Sequence, residues 1–159
     1  MDDELRRGLI ERYREGPGVV EAAVAGLDED GLDRRPSDGG WTAREVVHHL
    51  ADSEMMSAMR LRLLLAEDSP VIHGYDEEEF ARRLHYGSRP VQPSLEAVRA
   101  ARETTSSLLE RLADEDWART GTHTESGPYS VQTWLEIYAR HAHDHAAQIR
   151  RAAGIPDPS

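Results

Sequence analysis

A chain of 159 residues, 38% hydrophobic and 31% charged, has room for one domain with a real core and shows no sign of a second. Its net charge of -11 argues against a phosphate-tracking surface, so no nucleic-acid partner is expected. No apolar run reaches membrane-span length and Met1-Asp2-Asp3-Glu4 does not open like a signal peptide, so a soluble, cytoplasmic protein is expected. Cysteine is absent, which removes disulfides, a cysteine nucleophile and thiolate ligands, and any thiol chemistry needs a thiol from outside. Lysine and asparagine are absent too, excluding a lysine Schiff base and fitting either GC-rich codon bias or loss of heat-labile residues in a thermophile.

In the first segment Leu5, Leu9, Tyr13, Val20, Ala23, Val24 and Leu27 recur at helical intervals, interrupted at Gly16-Pro17-Gly18. Proline removes a helix hydrogen bond, so one kinked helix or two short ones are expected. Residues 28–40 form a connector ending in Pro36 and the pair Gly39-Gly40. Thr42, with Glu45 three residues on, is the capping-box opening of a second helix whose inner stripe is Val46, Leu50, Ser53, Ser57, Leu61, Leu64 and Leu65. At about 100° per residue His49 falls on the flank of that stripe, beside Val46 and Ser53, whereas His48 falls nearly opposite. Asp52, one turn further, either orients an imidazole or is a solvated helix acid.

The span after Glu67-Asp68-Ser69-Pro70 holds a short helical patch, Glu77 to Leu84, and is too long to join neighbouring antiparallel helices. It suits a crossover between parallel helices or a loop covering a site. His73 and His85 read as surface histidines. A third long helix starts at Ser94 and runs through Leu95, Val98, Ala101, Thr105, Leu108, Leu109 and Leu112, and residues 114–129 read as a Gly, Thr and Ser-rich loop before Ser130 caps the last helix. There Val131, Trp134, Leu135, Tyr138, Ala142, Ala146 and Ile149 form one buried face. His141 and His145, four residues apart, stack along its edge and can reach one ion, while His143 points elsewhere. With a third histidine from helix two, the donor set would be all imidazole, leaving a divalent ion its full charge and an open position for a water or a thiol.

The residues Trp41-Thr42, Val46-Val47-His48-His49-Leu50-Ala51-Asp52-Ser53, Glu67-Asp68, Pro70, Tyr75-Asp76-Glu77 and Tyr138, His141 and His145, in that order, resemble the DinB superfamily, and within it the YfiT-like branch, over nearly the whole chain. The resemblance implies an all-α fold, a four-helix up-down-down-up bundle spanning residues 1–153 with a flexible tail at 154–159. It also implies a homodimer and a divalent metal held by His49, His141 and His145. Asp52, Glu54, Tyr138 and Gln148 are the candidates to hold those imidazoles in place. Imidazole suits zinc, nickel, copper and iron, with zinc or nickel expected here.

Relatives in that branch are described as metal-dependent hydrolases, or transfer thiols such as bacillithiol, or use mycothiol. The function expected is therefore a metal-dependent enzyme transferring a low-molecular-weight thiol to an electrophilic small molecule. The alternatives are hydrolysis with water as nucleophile and a non-catalytic metal-binding dimer. Arg60 and Arg140 are candidates to bind the carboxylates of such a thiol, or are ordinary surface arginines. The chain departs from the branch at Glu54, where histidine is common, at Met56, where asparagine is common, and at Asp144 and Gln148, which replace further histidines.

Overall fold

Four long helices carry the chain, α1 (Asp3–Val24), α3 (Ala43–Ala66), α5 (Gln92–Leu109) and α6 (Val131–Ala153), with α2 (Glu29–Asp33) and α4 (Glu77–Arg83) as short helices in the connections. The computed structural model describes residues 1–156, so part of the expected tail, 157–159, lies outside the described residues. Three of the four long helices open on side-chain caps: Asp2 on Leu5 N, Thr42 and Glu45 in a reciprocal box, and Ser130 on Thr133 N. α5 opens instead on Pro93 in its first turn, and Ser94, expected as its cap, turns its hydroxyl to His48.

Side-chain contacts fix the helix directions. Met1 and Gln132 meet at one end and His143 donates to the Arg12 carbonyl further along, so α1 and α6 run parallel. His48 with Ser94 and Arg62 with Thr105 make α3 and α5 parallel. His49 against His145 and Trp134 Nε1 on the Ser57 carbonyl make α3 antiparallel to α6. The order is up-down-down-up, as expected, and the long 67–91 segment is the crossover that two consecutive parallel helices require.

The connections add a small sheet that the sequence did not suggest. β1 (Val71–Ile72) pairs in parallel with β2 (Thr120–His123), which pairs antiparallel with β3 (Gly127–Ser130). Strands of two to four residues are too short to show an alternating pattern, and Gly, Thr and Ser read as loop. Gly121 is needed there, because a Cβ would sit 2.4 Å from the Pro70 carbonyl oxygen. Arg119 ties the sheet to α3 through the Leu64 and Glu67 carbonyls. At the other end Arg44 clasps α2 through Asp33 and Glu29.

α1 is one continuous helix, not two, although Pro17 lies inside it. Proline has no N–H for the carbonyl four residues back, and that carbonyl, on Tyr13, instead accepts from Arg102 Nη1 at 2.6 Å. Gly16 makes the room: a Cβ there would meet Arg102 Nη1 at 2.1 Å. Arg102 and its partner Glu54 form a buried charged layer between two apolar clusters. One contains Val20, Val46, Leu50, Val98, Ala146 and Ile149, and the other Tyr13, Leu61, Leu64, Trp134, Leu135 and Tyr138. No helix of the described residues is long and apolar enough to cross a membrane.

Candidate metal centre

His49 from α3 and His141 and His145 from α6 converge where the two helices cross, each offering a ring nitrogen, all within 4.8 Å of one another. The ring centroids stand 4.5 Å apart for His141 and His145, 4.7 Å for His49 and His145 and 5.6 Å for His49 and His141. Three nitrogens at roughly 2.0–2.1 Å from a tetrahedral ion lie roughly 3.4 Å apart, so small ring rotations bring this set to chelating distance. The polar atoms fit an ion, since the Nδ1 atom of His49 is buried without a hydrogen-bond partner. His145 donates from Nδ1 to Gln148 Oε1 at 2.7 Å, which leaves its Nε2 lone pair free.

Burial, then the neighbouring His145 and His141, pushes the His49 pKa down to about 3. Burial and His141 likewise push His145 down to about 4. Both rings are therefore neutral at neutral pH, the form in which imidazole ligates a metal. Behind His141 lies Glu54, fully buried, its Oε1 3.8 Å from the Nδ1 atom and 2.5 Å from Arg102 Nη2. Burial, the largest single influence, would raise the Glu54 pKa, but the Arg102 charge and the contacts with His141 and Arg102 together outweigh it and hold the carboxyl below its ordinary range. Tyr13 and Ser57 hydroxyls donate to the other oxygen of Glu54 at 3.4 and 3.5 Å.

His48 is buried rather than on a solvated face, because α3 is enclosed nearly all round. Its Nε2 donates to the Arg89 carbonyl and its Nδ1 accepts from Ser94, so both nitrogens are occupied and it stands apart from the cluster. Asp52 hydrogen-bonds to none of the three clustered imidazoles. It accepts from the Tyr86 hydroxyl at 2.5 Å, and Tyr86 packs against His48 and Trp41. Tyr138 lies edge-on to His141 and its hydroxyl accepts from Arg60 Nη1 at 3.0 Å. Arg60 also donates to the His73 carbonyl and lies over the Tyr75 ring, while its Nε is buried without a partner. Arg140 is exposed on the outer side of α6, away from the cluster.

The cluster is open along α6, where the His141 side chain is 19% exposed. Trp41 covers it on the α3 side, its ring 5.0 Å from that of His49, and borders a cavity of about 550 Å3 that reaches Glu45, Glu79 and Arg82. Sequence reasoning missed Arg102, although a signal exists. Val98, Arg102, Thr105 and Leu109 share one helical stripe, and an arginine inside a buried stripe requires a buried acid, which Glu54 supplies from the stripe of α3.

A four-helix up-down-down-up bundle with three histidines gathered between an antiparallel helix pair defines a class of metal-dependent protein. The chain belongs to the DinB superfamily, whose family model matches residues 12–149. A relative in Oceanobacillus iheyensis is 39% identical over 153 residues, covering 94% of this chain and 88% of that one. Another in Geobacillus thermodenitrificans is 37% identical over 143 residues, covering 88% and 79%. Both are provisionally named metal-dependent hydrolases. The fold is similar to that of YfiT from Bacillus subtilis, described as a probable metal-dependent hydrolase with an unusual four-helix bundle topology. The TM-score is 0.90 and the identity 31%, covering 98% of this chain and 91% of that one.

Proposed function

We propose that the protein is a metal-dependent enzyme joining an external low-molecular-weight thiol to an electrophilic small molecule, with His49, His141 and His145 as the ligands. The observation that supports it is the meeting of three imidazoles at an accessible edge of a chain with no cysteine, so that a sulfur nucleophile must be brought in. A divalent ion held there supplies Lewis acidity, which lowers the pKa of a thiol or water brought to it. The overall reaction forms one S–C bond, breaks the bond from that carbon to its leaving group, and sends the thiol proton away with that group. Arg60, whose guanidinium is held by the Tyr138 hydroxyl and the His73 carbonyl, is the side chain we assign to a carboxylate of the thiol. Trp41 over His49 keeps water from that side of the cluster.

Hydrolysis is the second reading, favoured by the names of the relatives and by Glu77. Its carboxyl, at the start of α4, belongs to an exposed residue but lies within electrostatic reach of His141 and Arg60, and partial desolvation pushes it above its ordinary range. A carboxylate so placed can take a proton from an attacking water. To separate the two, zinc- or nickel-loaded protein is incubated with bacillithiol, mycothiol, glutathione or coenzyme A, each with a chlorinated aromatic or an epoxide, and in parallel with an ester and amide panel. Conjugate formation with one thiol, lost in His141→Ala, is the expected result. Metal-dependent ester or amide cleavage without thiol consumption would replace thiol transfer by hydrolysis.

A further inference from the structure

Glu54 has no counterpart among the residues that surface chemistry would explain. It is fully buried, one turn beyond Leu50 on the inner stripe of α3, and its charge is matched by Arg102, itself only 1% exposed. Arg102 is held at four points. Nη1 donates to the Tyr13 carbonyl that Pro17 leaves without its helical donor, and Nη2 donates to the Tyr138 carbonyl at 3.0 Å and to Glu54. The guanidinium also lies over the Tyr13 ring at 4.2 Å. Gly16 leaves the space it fills. Three helices thus fix one guanidinium, and that guanidinium fixes one carboxylate behind His141.

We propose that Glu54, locked by Arg102, is a positioning residue that fixes His141 as the Nδ1–H tautomer and leaves its Nε2 lone pair for the ion. This rests on the reading of His141 as a ligand. The geometry that carries it is a pair of facts: His141 Nδ1 is buried without a hydrogen-bond partner, and the carboxylate oxygen Oε1 of Glu54 stands 3.8 Å from it. A carboxylate only accepts, so it favours the tautomer that presents N–H to it, and a sub-ångström shift of the ring makes the contact a hydrogen bond. His145 receives the same service from Gln148, so two ligands on one helix are oriented by two different chemistries, an amide near the surface and a buried ion pair in the core. The proline and glycine inside α1, which otherwise weaken a helix, acquire a role in this arrangement: they open the carbonyl and the space that anchor Arg102.

The test uses the full chain labelled with 15N-histidine and stripped of metal, with His141 signals assigned from their loss in His141→Ala. In the unaltered protein, long-range proton–nitrogen correlation at neutral pH should show His141 as the Nδ1–H tautomer. Glu54→Leu/Arg102→Met removes both charges together, which spares the fold the stranded charge that either single change would leave. It should retain helix content and cooperative melting, convert His141 to a tautomer mixture, and bind zinc or nickel about 10- to 100-fold more weakly. If the double variant does not fold, Glu54→Asp, which keeps the charge beside Arg102 but withdraws it by one methylene, should move the tautomer ratio in the same direction by less. An Nε2–H tautomer in the unaltered protein, or an unchanged tautomer in a folded variant, overturns the proposal. A protein that shows the Nδ1–H tautomer and binds no metal upholds the role of Glu54 and overturns the metal reading instead.

Discussion

Gln148 Oε1 lies 2.7 Å from His145 Nδ1, two residues one turn apart on α6, and this contact decides which face of the imidazole is available. The donor nitrogen is committed to the amide, so the lone pair on Nε2 points to the cluster. Gln148→Ala should leave the fold intact, since Gln148 is at the surface edge of the helix, and weaken metal binding about 10- to 100-fold. Calorimetric titration of metal-free protein measures it. Unchanged affinity would show that the ring is held by packing alone.

His48 and His49 are adjacent, and the helix turns them to opposite partners. His49→Ala should abolish metal binding with little loss of helix content, because its ring faces the other histidines. His48→Ala should keep the metal and lose stability by about 2–4 kcal/mol, from the cavity and the unpaired Ser94 and Arg89 groups. Elemental analysis and denaturant melts of both variants give the two readouts, and metal loss in His48→Ala would reverse the assignment.

The long helices and the faces that carry the three histidines are legible because they rest on a helical period that a sequence displays directly, whereas the bundle topology and the grouping of His49 with His141 and His145 follow from the family resemblance. Val46, Leu50 and Ser53 mark a face on which His49 must lie, and Tyr138, Ala142 and Ala146 mark the edge on which His141 and His145 must lie. What was not legible depends on partners distant in sequence. Pro17 predicts a kink or a break in α1 until Arg102, 85 positions later, supplies the missing donor. Asp52 fits the second helix equally well as support for an imidazole and as a solvated acid, and Tyr86, in the crossover, takes it as a hydrogen-bond acceptor. The sheet escaped for the same reason, since β1 and β2 lie far apart in the chain and neither is long enough to show its own period.

Gly16→Ala gives a test in which helix propensity and packing have opposite signs. In an exposed helix interior the change stabilises by about 1 kcal/mol. Here the new Cβ would lie 2.1 Å from Arg102 Nη1, 2.7 Å from its Cζ and 3.0 Å from Ala142 Cβ, and Arg102 is locked by four contacts rather than free to swing away. The variant should be destabilised by at least about 2 kcal/mol. Gly18→Ala, two positions on, meets nothing within 4 Å and serves as the control that should gain stability. A stabilised Gly16→Ala in denaturant melts would mean that the guanidinium yields easily.

The metal-free protein should lose stability on mild acidification, and the direction follows from the two buried imidazoles. An unfolded histidine takes up its proton near pH 6.5, whereas His49 and His145 in the folded chain do so only near about 3 and about 4. Their folded values are depressed, so between those limits the unfolded state binds more protons and gains on the folded one as pH falls. Stability is complete above about pH 6.5 and declines below it, by up to about 2.7 kcal/mol per pH unit while both groups contribute. Metal bound to the neutral rings opposes the same protons, so added zinc or nickel should raise the melting temperature strongly at pH 7.5 and progressively less towards pH 5. Thermal melts of metal-free and metal-loaded protein across that range, with His49→Ala/His145→Ala as reference, provide the measurement. The reference should show a flatter dependence and no metal effect; a slope as steep as that of the unaltered protein would assign the acid sensitivity to other groups.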